Sequence, residues 1–182
     1  AFIAQVISFP QPPDVLMTAG TVVVSATGGG SGNPVVFSSA TPQTCTAGGV
    51  DGATVTLVAA GVCTINADQA GDGSYTAAPQ VSRSFGIAKA AQVISFPQPP
   101  DVLMTAGTVV VSATGGGSGN PVVFSSATPQ TCTAGGVDGA TVTLVAAGVC
   151  TINADQAGDG SYTAAPQVSR SFGIAKASQT IT

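Results

Sequence analysis

Residues 4–90 are followed at once by a second copy, residues 91–177, in which no position differs. The start of the unit shifts from residue 4 to residue 91, a period of 87 residues. Solenoid repeats run to roughly 20 to 50 residues and bury no core alone, whereas a unit of this length falls in the range of an autonomous domain. The chain therefore reads as two identical domains in tandem, 4–90 and 91–177. The closing "SQTIT", residues 178–182, reads as the first strand of a third, slightly different copy, so the segment reads as a piece of a longer array. A domain this small buries only about 60 to 65 per cent of its unfolded surface and gains much from a covalent staple.

Composition removes whole classes of function. The 182 residues contain no His, Glu or Trp, and the only charges are eight Asp, two Lys and two Arg. General acid–base chemistry rests on tuned His, Glu, Asp and Lys, and here only Asp and one Lys per repeat remain, so no enzyme is expected. A net charge of −4 offers no basic stripe for phosphates, which argues against nucleic acid and against anionic membrane surfaces. Apolar residues form short runs such as "TVVVSA", far below the 18 to 20 needed to span a bilayer, so no membrane insertion by this segment is expected.

The periodicity is two, not three to four. "QVISF" (5–9) reads as a strand stopped by the prolines of "PQPP", and "VLM" (15–17) as a short extended piece. "GTVVVSAT" (20–27) puts Val22, Val24 and Ala26 on one face. "VVFSS" (35–39), "TCTAG" (44–48) and "ATVTLV" (53–58) follow, the last two flanking a hairpin turn at Asp51-Gly52. "GVCTINADQ" (61–69) alternates Cys63, Ile65 and Ala67 against Thr64, Asn66 and Asp68, and "QVSRSFGI" (80–87) closes the unit. In the last strand Arg83 shares its parity with Val81, Phe85 and Ile87, a conflict that a bulge or an edge position would remove. Seven to eight short strands with a turn about every ten residues indicate an all-β chain. The fold class is two tandem immunoglobulin-like antiparallel β-sandwiches, arranged head-to-tail through the short boundary "FGIAKAAQVISF".

Four residue sets could carry chemistry. Four cysteines allow three pairings, and the repeat favours Cys45–Cys63 with Cys132–Cys150; without His or a CxxC spacing, disulfides are expected ahead of free thiols or a metal site. Such bonds imply an oxidising compartment and about 3 kcal/mol per repeat. A calcium loop starting at Asn66 would need ligands where Ala70 and Ala77 stand, so no cofactor is expected within one repeat. Asp14, Asp68 and Asp72, with Asp101, Asp155 and Asp159, are the candidate ligands for calcium between repeats, set against their reading as turn and surface residues. "GDGSY" places a glycine two residues before Tyr75, and before Tyr162 in the second copy, as in a tyrosine corner. "GGGSGNP" (28–34) lacks the Lys of a phosphate loop and reads as a loop at one end of the sandwich.

"QVISF", "PVVFSSATPQTCT", "AAGVCTINADQAG" and "YTAAPQVSRSF" together resemble the tandem bacterial immunoglobulin-like repeats of very large Gram-negative surface and secreted proteins. The resemblance covers nearly the whole repeat. It implies a giant extracellular adhesin whose repeats form a stalk while a distal module binds the target, with neighbouring identical repeats as the immediate partners. The competing expectation is a binding module, in which residues 28–33 or a Thr-rich face recognise a glycan, a host protein or another copy of the chain.

Overall fold

A computed structural model describes residues 1–181. The chain divides into two compact units, Ala1–Ala90 and Ala91–Thr182. Each unit carries seven strands. In the first these are β1 (Val15–Leu16), β2 (Thr21–Val23), β3 (Val35–Ser39), β4 (Cys45–Gly48), β5 (Thr54–Leu57), β6 (Gly61–Gln69) and β7 (Val81–Ala88). The second repeats them as β8 (Val102–Leu103), β9 (Thr108–Val110), β10 (Val122–Ser126), β11 (Cys132–Gly135), β12 (Thr141–Leu144), β13 (Gly148–Gln156) and β14 (Val168–Ala175).

A four-stranded sheet in the order β1-β7-β6-β3 faces a three-stranded sheet, β2-β5-β4. All pairings are antiparallel except β1 with β7, where Val15 and Leu16 run parallel to Ile87 and Ala88. The chain is all-β, and each unit is an immunoglobulin-like sandwich. Alternation explains the core: Val24, Phe37, Val55, Leu57, Ile65, Phe85 and Ile87 turn inward from both sheets. The Phe9 and Phe37 rings meet at 5.3 Å with a 58° tilt, a tilted contact within the range in which aromatic pairs attract.

Residues 5–9 differ from the sequence expectation. Their alternation is intact, with Gln5, Ile7 and Phe9 buried, yet they form no regular strand and make only one antiparallel bridge, Ser8 with Thr27. The cause lies just beyond. Pro10, Pro12 and Pro13 have no N–H to give a ladder, and the chain leaves one sheet for the other.

That crossing segment seals the exposed edge of β7 with side chains. The Phe9 carbonyl accepts from Arg83 Nε at 2.8 Å, Gln11 Nε2 donates to the Ser84 carbonyl, and Asp14 Oδ1 accepts from the Gly86 N–H at 2.6 Å. Backbone pairing then takes over at Val15. The Arg83 conflict is settled by this edge and not by a bulge: the β6–β7 register is unbroken from Gly61↔Ile87 to Ala67↔Val81, and Arg83 stays exposed.

The β4–β5 hairpin turn performs a similar service for β3. Asp51 adopts φ 54°, the left-handed region, and Gly52 at φ +76° lies so close to Phe37 that a Cβ would sit 2.1 Å from the Phe37 carbonyl oxygen. Only glycine allows this approach.

Candidate functional site

The end of the sandwich that carries "GGGSGNP" and the seam between the sheets hold the glycine loop, Tyr75 and the cysteines that the sequence singled out. At the seam, Cys45 on β4 and Cys63 on β6 are joined, with Cα atoms 5.7 Å apart; Cys132 and Cys150 are joined likewise at 5.6 Å. All four cysteines have 0% exposure. The bond ties the three-stranded sheet to the four-stranded one, and chain-entropy reasoning for a loop of this size gives about 3 kcal/mol. Hydroxyls brace it from both sides. Ser39 Oγ donates to the Cys45 carbonyl at 2.7 Å, and Thr41 Oγ1 accepts from the Thr64 N–H at 2.9 Å.

The glycine-rich loop is held from beneath by two buried glutamines. Gln69, 3% exposed and the last residue of β6, accepts from the Gly29 N–H at 2.7 Å and donates to the Asn33 carbonyl at 2.8 Å. Gln5 accepts from the Ser31 N–H at 3.0 Å and donates to the Ala70 carbonyl at 3.0 Å. Asn33 Nδ2 reaches the Ala70 and Gly71 carbonyls. No buried side-chain polar atom among the described residues lacks a partner, so the buried amides beneath the loop are fully engaged within the domain.

Sequence reasoning missed these glutamines. The signal was their parity, since Gln5 shares the inward phase of Ile7 and Phe9, and Gln69 that of Ile65 and Ala67. A polar residue at an inward position needs a partner, and the loop's backbone is that partner. Gly28 and Gly29 are glycines for the same reason: a Cβ at either would sit 2.4 or 2.5 Å from a glutamine side chain.

Tyr75 corrects an expectation. A tyrosine corner sits before the second cysteine's strand and bonds its hydroxyl to nearby backbone, whereas Tyr75 follows β6 on the way to β7. Its ring lies on Gly30, where a Cβ would meet Cζ at 2.4 Å, and Tyr162 lies on Gly117 in the same way. Its backbone is pinned through Asp72 Oδ1, which accepts from the Ser74 and Tyr75 N–H groups at 2.7 and 2.8 Å. Tyr75 is thus a weight on the glycine loop.

The aspartates are dispersed over separate tasks. Asp14 caps Gly86, Asp68 accepts from Gln80 Nε2 at 3.0 and 2.9 Å, and Asp72 shapes its own turn. Asp101, Asp155 and Asp159 make the matching bonds to Gly173, Gln167 and Ser161. Among the described residues, no three His, Cys, Asp or Glu gather in a group able to hold a metal ion. Asp68–Gln80 belongs to a polar ladder that continues through Asn66–Ser82 and Thr64–Ser84 on the outer face of the four-stranded sheet.

One concavity is common to both units. A cleft of about 180 Å³ opens between residues 9–13 and 23–25, lined by Phe9, Pro12, Pro13, Val23 and Val24, and recurs at residues 96–100 and 110–112.

No family model and no curated protein sequence matches the chain. Solved structures to which the chain is similar include cadherin ectodomain fragments. Mouse Cadherin-23 EC22-24 is 14% identical at a TM-score of 0.38, over 94% of this chain and 63% of that one. Drosophila N-cadherin EC1-4 is 10% identical at a TM-score of 0.35, over 93% of this chain and 50% of that one. Human Mucin-like Protocadherin EC1-2 is 11% identical at a TM-score of 0.36, over 95% of this chain and 100% of that one. A likeness of this size adds nothing to the sandwiches already described.

Proposed function

We propose that each unit is a structural spacer in the stalk of a large extracellular bacterial adhesin, adding length between the cell surface and a distal binding module. One observation carries the reading: a self-contained sandwich, repeated without a change, has its two sheets cross-linked by a buried cystine. Identical copies suit a part whose output is reach. Two further features support it. The loop of residues 28–33 has its Gly29 and Ser31 N–H groups and its Asn33 side chain bonded within the unit. The parallel pairing of β1 with β7 joins strands near the two ends of the repeat, so tension along the chain loads those bonds in shear and must break them together.

Single-molecule stretching of the chain tests this. Two unfolding events of equal size are expected. The 18-residue separation between the cysteines stays locked until reductant is added, after which each event lengthens by about 6 nm, at about 3.4 Å per residue. Unfolding at forces no greater than those that straighten a random coil would sink the spacer reading.

A further inference from the structure

We infer that residues 9–16, and 96–103 in the second repeat, form a mechanical lock: a strap along the last strand that carries the tension on the repeat and whose release lets the rest come apart. This rests on the spacer reading for the direction of load and goes beyond it in naming the bonds that bear it. The cystine is not among them.

Proline decides the kind of bond. Pro10, Pro12 and Pro13 have no N–H, so residues 9–14 hold β7 through a side chain at every rung. Arg83 Nε donates to the Phe9 carbonyl at 2.8 Å, Gln11 Nε2 to the Ser84 carbonyl, and the Gly86 N–H to Asp14 Oδ1 at 2.6 Å. Gly86 leaves room for that carboxylate, since a Cβ there would sit 3.2 Å from Asp14 Oδ1. Between the rungs Phe9 and Pro12 are buried. Backbone pairing of Val15 with Ile87 and of Leu16 with Ala88 completes the series. The second repeat makes the same bonds, from Arg170 to Phe96, Gln98 to Ser171 and Gly173 to Asp101, followed by the pairs Val102–Ile174 and Leu103–Ala175.

The order of the partners sets the mechanics. As the strap advances from 9 to 16, its partners advance from 83 to 88, so the two segments run the same way. Tension draws the strap back by its beginning and β7 forward by its end, and every rung is loaded at once. When the strap lets go, the N-terminal load falls on Met17, which follows Leu16 and so lies at the Ala88 end of β7. Both points of attachment are then at one end of the sandwich. Pulled from there, β7 peels from β6 beginning at Ile87↔Gly61, and β2 peels from β5 beginning at the Gly20 carbonyl and the Leu57 N–H. Bonds broken one pair at a time resist far less than bonds broken together. Cys45–Cys63 joins β4 to β6, away from the strap, and limits only how much chain is released.

Stretching the full chain at constant force tests the inference, since forced unfolding reports the unfolding barrier. With Q11A/D14A in the first repeat and the second unaltered, the first should unfold at least about tenfold sooner than its twin, because its lost bonds are ones that break before the barrier. Moving the N-terminal tether from Ala4 to Thr18, just past the strap, should shorten the life of the first repeat by about the same factor or more with every bond of the fold intact. Reductant should lengthen both events while changing their lifetimes by less than about threefold. Equal lifetimes in the Q11A/D14A chain, no loss on moving the tether, or a loss on reduction as large as that of the strap variant would each overturn the proposal. If Q11A/D14A prevents the first repeat from folding, the tether comparison, made on the unaltered sequence of rungs, decides. A wild type that yields at the forces that straighten a coil removes the lock together with the spacer reading, whereas strong wild-type events indifferent to the strap remove the lock alone.

Discussion

Two edges of the same sandwich run beside the same stretch of chain and meet opposite fates. Along β7, residues 9–14 act as a substitute strand, supplying a carbonyl to Arg83, an amide to Ser84 and a carboxylate to Gly86. Along β2 the same stretch departs after Ser8 and leaves an open groove. A segment with three prolines cannot give a regular ladder to either side, so it can close an edge only where side chains reach. It closes the edge of the strand that ends the repeat. The contrast shows where a small domain invests: in the sheet that joins its beginning to its end.

The contrast can be broken or sharpened by substitution in the first repeat alone, with the second as an internal reference in the same calorimetric scan. Removing the staple that both sheets share, C45A/C63A, should lower the stability of that repeat most, by about 3 kcal/mol, or roughly 15 °C for a domain of this size. Gly52→Ala should come next at about 2 to 3 kcal/mol, because both its positive φ and the Phe37 carbonyl forbid a side chain. Gln69→Ala should cost about 2 kcal/mol by stranding the Gly29 N–H and the Asn33 carbonyl, with faster exchange confined to residues 28–33. Asp14→Ala, which reopens the sealed edge at Gly86, should cost about 1 kcal/mol. Val23→Lys, at the edge already open, should change stability by less than about 0.5 kcal/mol. If the last two were to trade places, the distinction between a sealed and an open edge would collapse. Chelator should leave both transitions where they are.

The strands with one buried face were legible in the sequence, because period-two alternation is a direct image of burial on one side. Residues 35–39 and 61–69 are read from the sequence with the bounds that β3 and β6 have in the structure. Cys63, Ile65 and Ala67 point inward as their parity requires. What the sequence could not convey was contact between distant segments. Nothing local says that Gln11 reaches Ser84, or that Gln69 supports a loop forty positions away. Tyr75 shows the hazard of a local pattern: G-x-Y was present, but its meaning depends on which crossing it occupies, and that is a property of topology. The glycines of residues 28–30 read as loop composition, whereas two of them make room for buried amides and the third for a phenol ring.

The pairing of Val15 with Ile87 also sets a timetable. It spans 72 positions, nearly the entire unit, so a repeat emerging from a ribosome or a secretion pore cannot complete its larger sheet until its last strand is out. Until then β6 and β3 wait with β7 missing, beside a neighbour whose β7 has the same sequence. Long-range pairing of this kind folds slowly, and identical neighbours offer a wrong strand that fits as well as the right one. The order of emergence resolves the ambiguity: the first repeat's own β7 emerges before the second copy's, and once it is paired with β6 and β1 it is no longer open to the strands that follow.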